Sequence, residues 1–233
     1  IMPAGVGIGV EPLPGMNTVG ALGRPPYQRA ASPWVVMSSR RAGAGVRPMA
    51  RGVVPAGQLR YKSDDPMTVA REVAAAVQAV QGTGALLFIN DHWHQAIEAG
   101  AYGVHLGQED LDALQPSELQ ALQASGLRLG VSTHGYAEMV RADAVGPSYV
   151  ALGAVFPTTL KKMATAPQGI GRLAAYARLM QGYPLVAIGG IGADQFGEVL
   201  GTGVGSIAVV RALVNAPNPE EAARQLMARM ATT

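Results

Sequence analysis

Cysteine is absent from the 233 residues of this chain. Disulfide bonds, thiolate metal sites and a thiol nucleophile are therefore excluded. A chain with no cysteine carries no sign of an oxidising compartment, so we expect a cytoplasmic protein.

Long apolar runs and charged residues are also scarce. The longest apolar stretches, 149–156 and 184–191, have the length of a strand and fall far short of the ~20 residues that span a bilayer. Charged residues make up 15% of the chain and hydrophobic residues 48%, a balance typical of a parallel sheet that is covered by helices on both faces. We expect one aliphatic core and no association with a membrane.

The charges are distributed unevenly. Residues 1–63 contain eight Lys or Arg and a single acid, Glu11, whereas residues 64–233 contain ten basic and fifteen acidic residues. The basic segment shows no nucleic-acid-binding motif, so a solvated tail is favoured over a nucleic-acid-binding arm. We expect residues 1–32, rich in Gly and Pro, to be a tail or a linker to an upstream domain, and residues 33–233 to form one domain.

From residue 33 onward, apolar runs with β propensity alternate with segments of helical period. Asp65 before Pro66 and Asn218 before Pro219 have the pattern of helix caps with proline in the first turn. The predicted strands are 34–38, 53–61, 85–91, 103–107, 128–133, 149–156, 185–189 and 206–210. The predicted helices are 66–81, 92–99, 116–124, 136–144, 170–180, 193–200 and 219–230. This order predicts an α/β fold, a single eight-stranded parallel (β/α)8 TIM barrel.

The first crossover is the weakest part of this prediction. Residues 39–53 are rich in Gly and Arg and show no amphipathic period. We therefore expect a first helix that is short or distorted.

Polar residues cluster where the strands of such a barrel end, which is where its catalytic groups lie. Gln58, Arg60 and Lys62 alternate at the end of the second predicted strand, so we expect them to face one side. Two cations there suggest a bound anion, and a salt-bridge layer at the barrel mouth is the alternative.

Two carboxylates follow the next two strands. Asp91 ends the third predicted strand and Asp110 follows the fourth. Carboxylates at neighbouring strand ends suit Mg²⁺, which takes one or two of them and completes its shell with phosphate oxygens and water. Helix capping is the alternative for each residue. Both together, opposite a cationic strand, favour a metal site.

The later strands carry signals for phosphate. Gly189 and Gly190 end the seventh predicted strand, where the backbone N–H groups of this fold commonly bind a phosphate. The loop after the sixth strand contains Thr158, Thr159 and Lys161, and it predicts either a closing lid or a solvated basic loop.

Histidines offer a second metal hypothesis. His92, His94 and His134 could be ligands of a transition metal, but they do not follow the strands on which hydrolytic barrels carry such ligands. His105 lies inside the fourth predicted strand and is expected to be a hydrogen-bonded structural residue. No serine has the context of a nucleophile elbow.

Six motifs, in this order, resemble the thiamine-phosphate synthase family over about residues 57–230. They are Gln58-Leu-Arg-Tyr-Lys62, Ile89-Asn-Asp91, His105-Leu-Gly-Gln-Glu-Asp110, Gly130-Val-Ser132, the stretch from Tyr149 to Thr158, and Val186-Ala-Ile-Gly-Gly-Ile191. That family is a β/α barrel. It couples hydroxymethylpyrimidine diphosphate to thiazole phosphate, forms thiamine phosphate and releases diphosphate.

The resemblance implies a role for each matching residue, and phosphorylated pyrimidine and thiazole substrates. Asp91 and Asp110 would hold Mg²⁺, and Arg60, Lys62 and Lys161 would be the catalytic cations that stabilise the departing diphosphate. The implied contacts to substrate are Gln58, Arg60, Lys62, Asn90 and Ser132 for the pyrimidine diphosphate, Lys161 for the leaving group, and Thr158, Thr159, Gly190, Val210 and Arg211 for the thiazole phosphate. Leu160 and Arg211 stand where the family commonly has Thr and Ser.

Two other functions remain open at this point. A thiazole tautomerase of the same superfamily would use His134 as acid or base, although it has less use for a site that holds a metal and a diphosphate. A non-catalytic barrel that binds thiamine intermediates and regulates a partner would explain the unusual first crossover. A fusion to another thiamine-pathway enzyme is a further hypothesis.

Overall fold

A computed structural model describes the backbone of residues 34–39, together with residues 46, 48–49, 51–158 and 165–232. The predicted tail or linker at 1–32 lies outside the described residues, and so does most of the first crossover. The described part of the crossover is helical at Val46, Pro48 and Met49. The prediction of a short or distorted first helix stays a prediction.

The described residues contain eight parallel strands, which pair in chain order. Strand β1 pairs with both β2 and β8, so that the sheet closes on itself. The strands are β1 Trp34–Ser39, β2 Ala56–Leu59, β3 Leu86–Asn90, β4 Gly103–Leu106, β5 Arg128–Thr133, β6 Tyr149–Gly153, β7 Leu185–Ile188 and β8 Ser206–Val209. The predicted parallel α/β fold is confirmed.

The helices follow the strands as βα units require. They are α1 Pro66–Val80, α2 Trp93–Glu98, α3 Gln108–Ala113, α4 Pro116–Ala124, α5 Tyr136–Val145, α6 Gly169–Leu179, α7 Phe196–Leu200, α8 Arg211–Val214 and α9 Pro219–Ala231. A 3₁₀ turn, Ala193–Gln195, leads into α7. The Asp65 carboxylate accepts hydrogen bonds from the backbone N–H groups of Met67 and Thr68, and Asn218 caps α9 in the same way through Glu221. Both predicted caps are confirmed.

Two details of the prediction were wrong. Strand β2 begins at Ala56 rather than at 53, because the N–H groups of Val53 and Val54 donate to the carbonyl of Pro48 and not to a neighbouring strand. Helices α3 and α8 were missed, since elements of six and four residues are too short to show a helical period.

The strands separate two apolar layers. Alternate side chains, such as Leu87, Ile89 and Val104, pack outward against the helices. The intervening side chains of β3, β6, β7 and β8 fill the barrel interior; they are Phe88, Tyr149, Ala151, Val186 and Ala208. This inner cluster closes the barrel beneath the polar residues at the carboxyl ends of the strands.

A helix able to cross a membrane is not found in the described part of the chain, since none there is both long and apolar enough.

Candidate active site at the carboxyl ends of the strands

Four polar residues lie above the inner aromatic cluster. Gln58, Asn90, His105 and Ser132 each stand next to a strand residue that packs outward, so they share the inner face; those neighbours are Leu59, Ile89, Val104 and Val131. The Gln58 side chain donates a 3.1 Å hydrogen bond to Asn90 Oδ1, and both side chains are buried. The expected juxtaposition of the second and third strand ends is therefore present.

The turn after β3 brings a carboxylate to a cation. Asp91 has a φ of +65°, a left-handed conformation that aspartate tolerates better than most residues. The backbone around it is fixed, because Asp91 N–H donates to the His105 carbonyl at 3.0 Å and Trp93 N–H donates to the Asp91 carbonyl at 2.8 Å. In this position the Asp91 carboxylate pairs with Lys62 Nζ. Arg60 lies between Gln58 and Lys62, half-buried and just beyond the end of β2.

The expectation that Gln58, Arg60 and Lys62 face one side by strand alternation holds only in part. Strand β2 ends at Leu59, so Arg60 and Lys62 lie beyond the region where alternation sets direction. Gln58 and Lys62 nevertheless both contact the end of β3, through Asn90 and Asp91.

Asp110 lies in the first turn of α3, next to Asp91. Burial raises the pKa of the Asp110 carboxyl above its ordinary value, and the neighbouring Asp91 carboxylate raises that pKa further. Lys62 and the backbone N–H of Gly107, which donates to Asp110 Oδ2 at 3.3 Å, act in the opposite direction. Capping thus accounts for part of the role of Asp110. It does not account for Asp91, since α2 begins after His92, and Asp91 is paired with Lys62 instead.

Two touching carboxylates fit a divalent cation. Such a pair is unfavourable unless a proton or a cation lies between the two groups. Among the described residues no cluster of three or more His, Asp or Glu side chains forms a metal site. The residues present therefore fit a hard cation that needs only one or two protein carboxylates, as Mg²⁺ does, better than a transition metal held by histidines.

The histidines proposed for a transition metal have other partners. His92 Nε2 lies 2.8 Å from the Tyr61 carbonyl, and His134 Nδ1 lies 2.8 Å from Glu138 Oε2. The His94 ring stacks on the Trp93 ring, with centroids 3.5 Å apart.

A chain of side-chain hydrogen bonds runs across another side of the mouth. Ser132 Oγ lies 2.7 Å from His105 Nε2, and His105 Nδ1 lies 2.7 Å from the Tyr149 hydroxyl. Gln108 Nε2 donates to the Ser132 carbonyl at 2.8 Å, while Gln108 Oε1 is buried without a hydrogen-bond partner among the described residues. His105 lies inside β4 and is hydrogen bonded, as predicted, and its partners are on β5 and β6.

Sequence reasoning assigned no role to Tyr149 or Gln108. Tyr149 begins a strand, where an aromatic residue indicates core packing, and its alignment with His105 depends on strand register. Gln108 stands within the quoted motif between His105 and Asp110, and that position was the one signal that could have identified it.

The exits of β6 and β7 pack tightly against each other. Gly190 has a φ of +71°, and a Cβ there would lie 2.5 Å from the Pro157 carbonyl oxygen, so glycine is required. Phe156 N–H donates to the Gly189 carbonyl at 2.9 Å. Thr158 follows Pro157 in the sequence and is half-buried. Val210 and Arg211 lie at the start of α8, after β8. Thr159 and Lys161 lie outside the described residues.

These features define a class of protein. The chain is a parallel β/α barrel protein whose mouth joins two carboxylates and a neighbouring lysine to a chain of side-chain hydrogen bonds. Comparison with known proteins places it within that class. The sequence model of the family described as thiamine monophosphate synthase matches residues 35–213, and the chain belongs to this family.

Individual relatives agree with this assignment. A thiamine-phosphate synthase of Neisseria meningitidis is 54% identical over 73% of this chain and 82% of that protein, and one of Cronobacter sakazakii is 48% identical over 83% and 86%. Among solved structures, thiamine phosphate pyrophosphorylase from Pyrococcus furiosus has a TM-score of 0.73 at 29% identity, covering 87% of this chain and 97% of that one.

The resemblance found in the sequence is therefore confirmed, and the chain is a transferase of thiamine biosynthesis. The comparisons support the synthase, not the tautomerase or the regulatory barrel.

Proposed function

We propose that the chain joins 4-amino-5-hydroxymethyl-2-methylpyrimidine diphosphate to 4-methyl-5-hydroxyethylthiazole phosphate, with Mg²⁺ as cofactor. The contact of Asp91 with Lys62 on one side and Asp110 on the other carries this proposal. Two carboxylates and a cation at one point of the mouth suit a ligand that brings both a divalent cation and an anion, and a magnesium diphosphate is such a ligand.

Asp91 and Asp110 are the proposed holders of Mg²⁺. When bound, the ion would neutralise charge on the diphosphate as it leaves. Lys62, which pairs with Asp91, and Arg60, just beyond the end of β2, would bind the same diphosphate as direct cationic partners. Lys161, on the loop after β6, is proposed to add a third cation.

The bond changes follow from this arrangement. The C–O bond between the pyrimidine methylene and the diphosphate breaks, and the electron pair leaves with the diphosphate. The electron-rich pyrimidine stabilises the benzyl-like cation that remains, and the thiazole nitrogen forms the new C–N bond. This chemistry needs positioning and charge stabilisation rather than a strong base.

The pyrimidine is proposed to lie against the inner polar residues Gln58, Asn90 and Ser132. The thiazole phosphate is proposed to bind at the late strands. Its proposed contacts are Thr158, Thr159, Gly190, Val210 and Arg211. The close packing of Gly190 against Pro157 supports this placement, because it brings the exit of β7 next to the start of the loop that carries Thr158.

Three wider expectations belong to the same proposal. The working form is the complete (β/α)8 barrel, supported by the pairing of β1 with β2 and β8. The absence of cysteine supports a cytoplasmic location. Fusion to, or action beside, another thiamine-pathway enzyme stays a hypothesis.

A coupled assay tests the proposal. The purified chain, both phosphorylated precursors and Mg²⁺ should yield thiamine phosphate, measured by chromatography. Asp110→Ala should lower kcat/KM by at least about 100-fold, because it removes half of the carboxylate pair. Lys161→Ala should also lower the rate.

Asp112→Ala is the matched control. Asp112 lies on the same helix and is exposed. Its carboxylate pairs with the Arg141 guanidinium at a distance of 3.1 Å rather than with Asp91. Its replacement should leave activity within about twofold. Precursor binding without product, or equal activity of Asp110→Ala and Asp112→Ala, would contradict the proposal.

A further inference from the structure

The Tyr149 side chain is locked beneath the mouth. It is 5% exposed, and its ring packs edge-on against Phe88 with centroids 5.0 Å apart. The ring lies against Gly130 so closely that a Cβ at that position would overlap it. The His105 ring stacks on the other side with a centroid distance of 5.5 Å. Burial raises the pKa of the Tyr149 phenol, so the group keeps its proton at any physiological pH.

The phenolic proton needs an acceptor. A buried donor without a partner is strongly unfavourable, and in the described residues the hydrogen-bond partner of the Tyr149 hydroxyl is His105 Nδ1 at 2.7 Å. If Nδ1 carried a proton, both groups would offer a donor, and the phenolic proton would be left unpaired. Nδ1 is therefore the acceptor, and His105 carries its proton on Nε2.

This tautomer determines the direction of the next hydrogen bond. His105 Nε2 lies 2.7 Å from Ser132 Oγ, so Nε2–H donates and the serine oxygen accepts. The proton of the Ser132 hydroxyl then points away from His105. Ser132 is half-buried at the mouth, and its backbone is fixed by the hydrogen bond from Gln108 to its carbonyl.

We infer that Tyr149 and His105 are positioning residues that fix the Ser132 hydroxyl as a hydrogen-bond donor toward the substrate. The site then selects a substrate atom with a free lone pair at this point, such as an unprotonated ring nitrogen of the pyrimidine. The identity of that substrate rests on the proposed function, whereas the direction of the hydrogen bonds does not.

The tautomer can be measured without any substrate. Side-chain ¹⁵N NMR of the labelled full chain distinguishes protonated from unprotonated ring nitrogens, and the chain has four histidines to assign. The signals of His105 are identified by their loss in His105→Gln. We expect an unprotonated Nδ1 and a protonated Nε2, with the Nδ1 signal moving downfield in Tyr149→Phe because it loses its donor. A protonated Nδ1 in the unmodified chain would overturn the inference even if the enzyme is active.

A double-mutant cycle tests the consequence for catalysis. Tyr149→Phe should lower kcat/KM by about 3–10-fold, the effect of one misdirected hydrogen bond. In a Ser132→Ala background the same replacement should change kcat/KM by less than about twofold, because Tyr149 acts through Ser132. An equal loss in both backgrounds would show a merely structural role and would overturn the inference.

Tyr183→Phe is the matched control for this cycle. Tyr183 also donates a side-chain hydrogen bond, to Asp143 Oδ1 at 2.8 Å, but its partner is on the outer helix α5. Its replacement should leave kcat/KM unchanged. Should the unmodified chain form no product, the proposed function fails, while the NMR measurement still decides the direction of the hydrogen bonds.

Discussion

The mouth of the barrel has two sides that are held together by different forces. The charged wall consists of Lys62, Asp91 and Asp110, and the neutral wall consists of His105, Ser132 and Tyr149. On the charged wall two neighbouring carboxylates repel each other, and Lys62 compensates only in part. On the neutral wall Tyr149 is hydrogen bonded to His105, and His105 is hydrogen bonded to Ser132.

The two walls show that one barrel mouth can combine unfavourable electrostatic repulsion with a preformed set of hydrogen bonds. The charged wall is incomplete without a cation, because like charges in contact raise each other's free energy. The neutral wall is ordered before a ligand arrives, because two buried hydrogen bonds fix its three groups and leave only the Ser132 hydroxyl proton for a ligand. We therefore expect replacements on the charged wall to act mainly on ligand binding and catalysis, and replacements beneath the neutral wall to act mainly on stability.

A large effect, second to that of Asp110→Ala, is expected from removing the cation of the charged wall. Lys62→Met should lower kcat/KM by about 10–100-fold, because it removes both the partner of Asp91 and a proposed contact to diphosphate. Lys62→Arg, which retains the charge, should lose less, and steady-state kinetics of both variants measures the difference. Equal activity of Lys62→Met and the unmodified chain would mean that this wall has no catalytic role.

A smaller effect, and one on stability, is expected beneath the neutral wall. Gly130→Ala places a methyl group where the Tyr149 ring lies, so it should lower the free energy of unfolding by about 1–3 kcal/mol. Urea denaturation followed by circular dichroism measures this loss. Gly182→Ala is the control, because a Cβ at Gly182 meets no atom within 4 Å and should change stability by less than about 0.5 kcal/mol. Equal effects would show that Tyr149 is not confined as described.

The smallest effect is a gain in stability when the repulsion between the Asp91 and Asp110 carboxylates is removed. The pKa of Asp110 is raised in the folded chain, so as pH rises the unfolded chain loses this proton first and folding becomes less favourable. At neutral pH without metal, Asp110→Asn should therefore raise the Tm, by only about 1–2 °C because solvent screens the site.

Thermal unfolding in the presence of a chelator measures this gain. The gain should shrink as pH falls through the raised pKa of the Asp110 carboxyl, and it should vanish below the ordinary aspartate pKa of about 4, where the unfolded chain is protonated as well. With Mg²⁺ added, the unmodified chain should gain more stability than Asp110→Asn does. A lower Tm of Asp110→Asn in the chelator would contradict the repulsion between the two carboxylates.

Local patterns in the sequence predicted much of the fold. Helix α4 was predicted with its observed bounds, and α1 and α9 were located by Asp65 and Asn218 with their following prolines. Helices α3 and α8 were missed, because so few residues give no period. Val53 and Val54 were misassigned, because their strand-like composition is overridden by hydrogen bonds to Pro48.

In the candidate site, too, local pattern predicted some features and not others. Residue type and position at a strand end were sufficient to select Asp91, Asp110 and Lys62, because parallel strands bring their carboxyl ends together. Ser132 was selected only through the family motif. The partner of each was not predictable from local pattern. Tyr149 contacts His105 across 44 positions of sequence, and only the register of β4, β5 and β6 aligns them.

The sequence by itself determined the family, the parallel α/β class and the residues that carry charge to the mouth, because composition, period and motif order are properties of the chain alone. The tertiary structure decided which carboxylates touch, which way the hydrogen bonds run and where glycine is obligatory. Those features depend on distances of a few ångströms between strands far apart in sequence, and only closure of the sheet sets such distances.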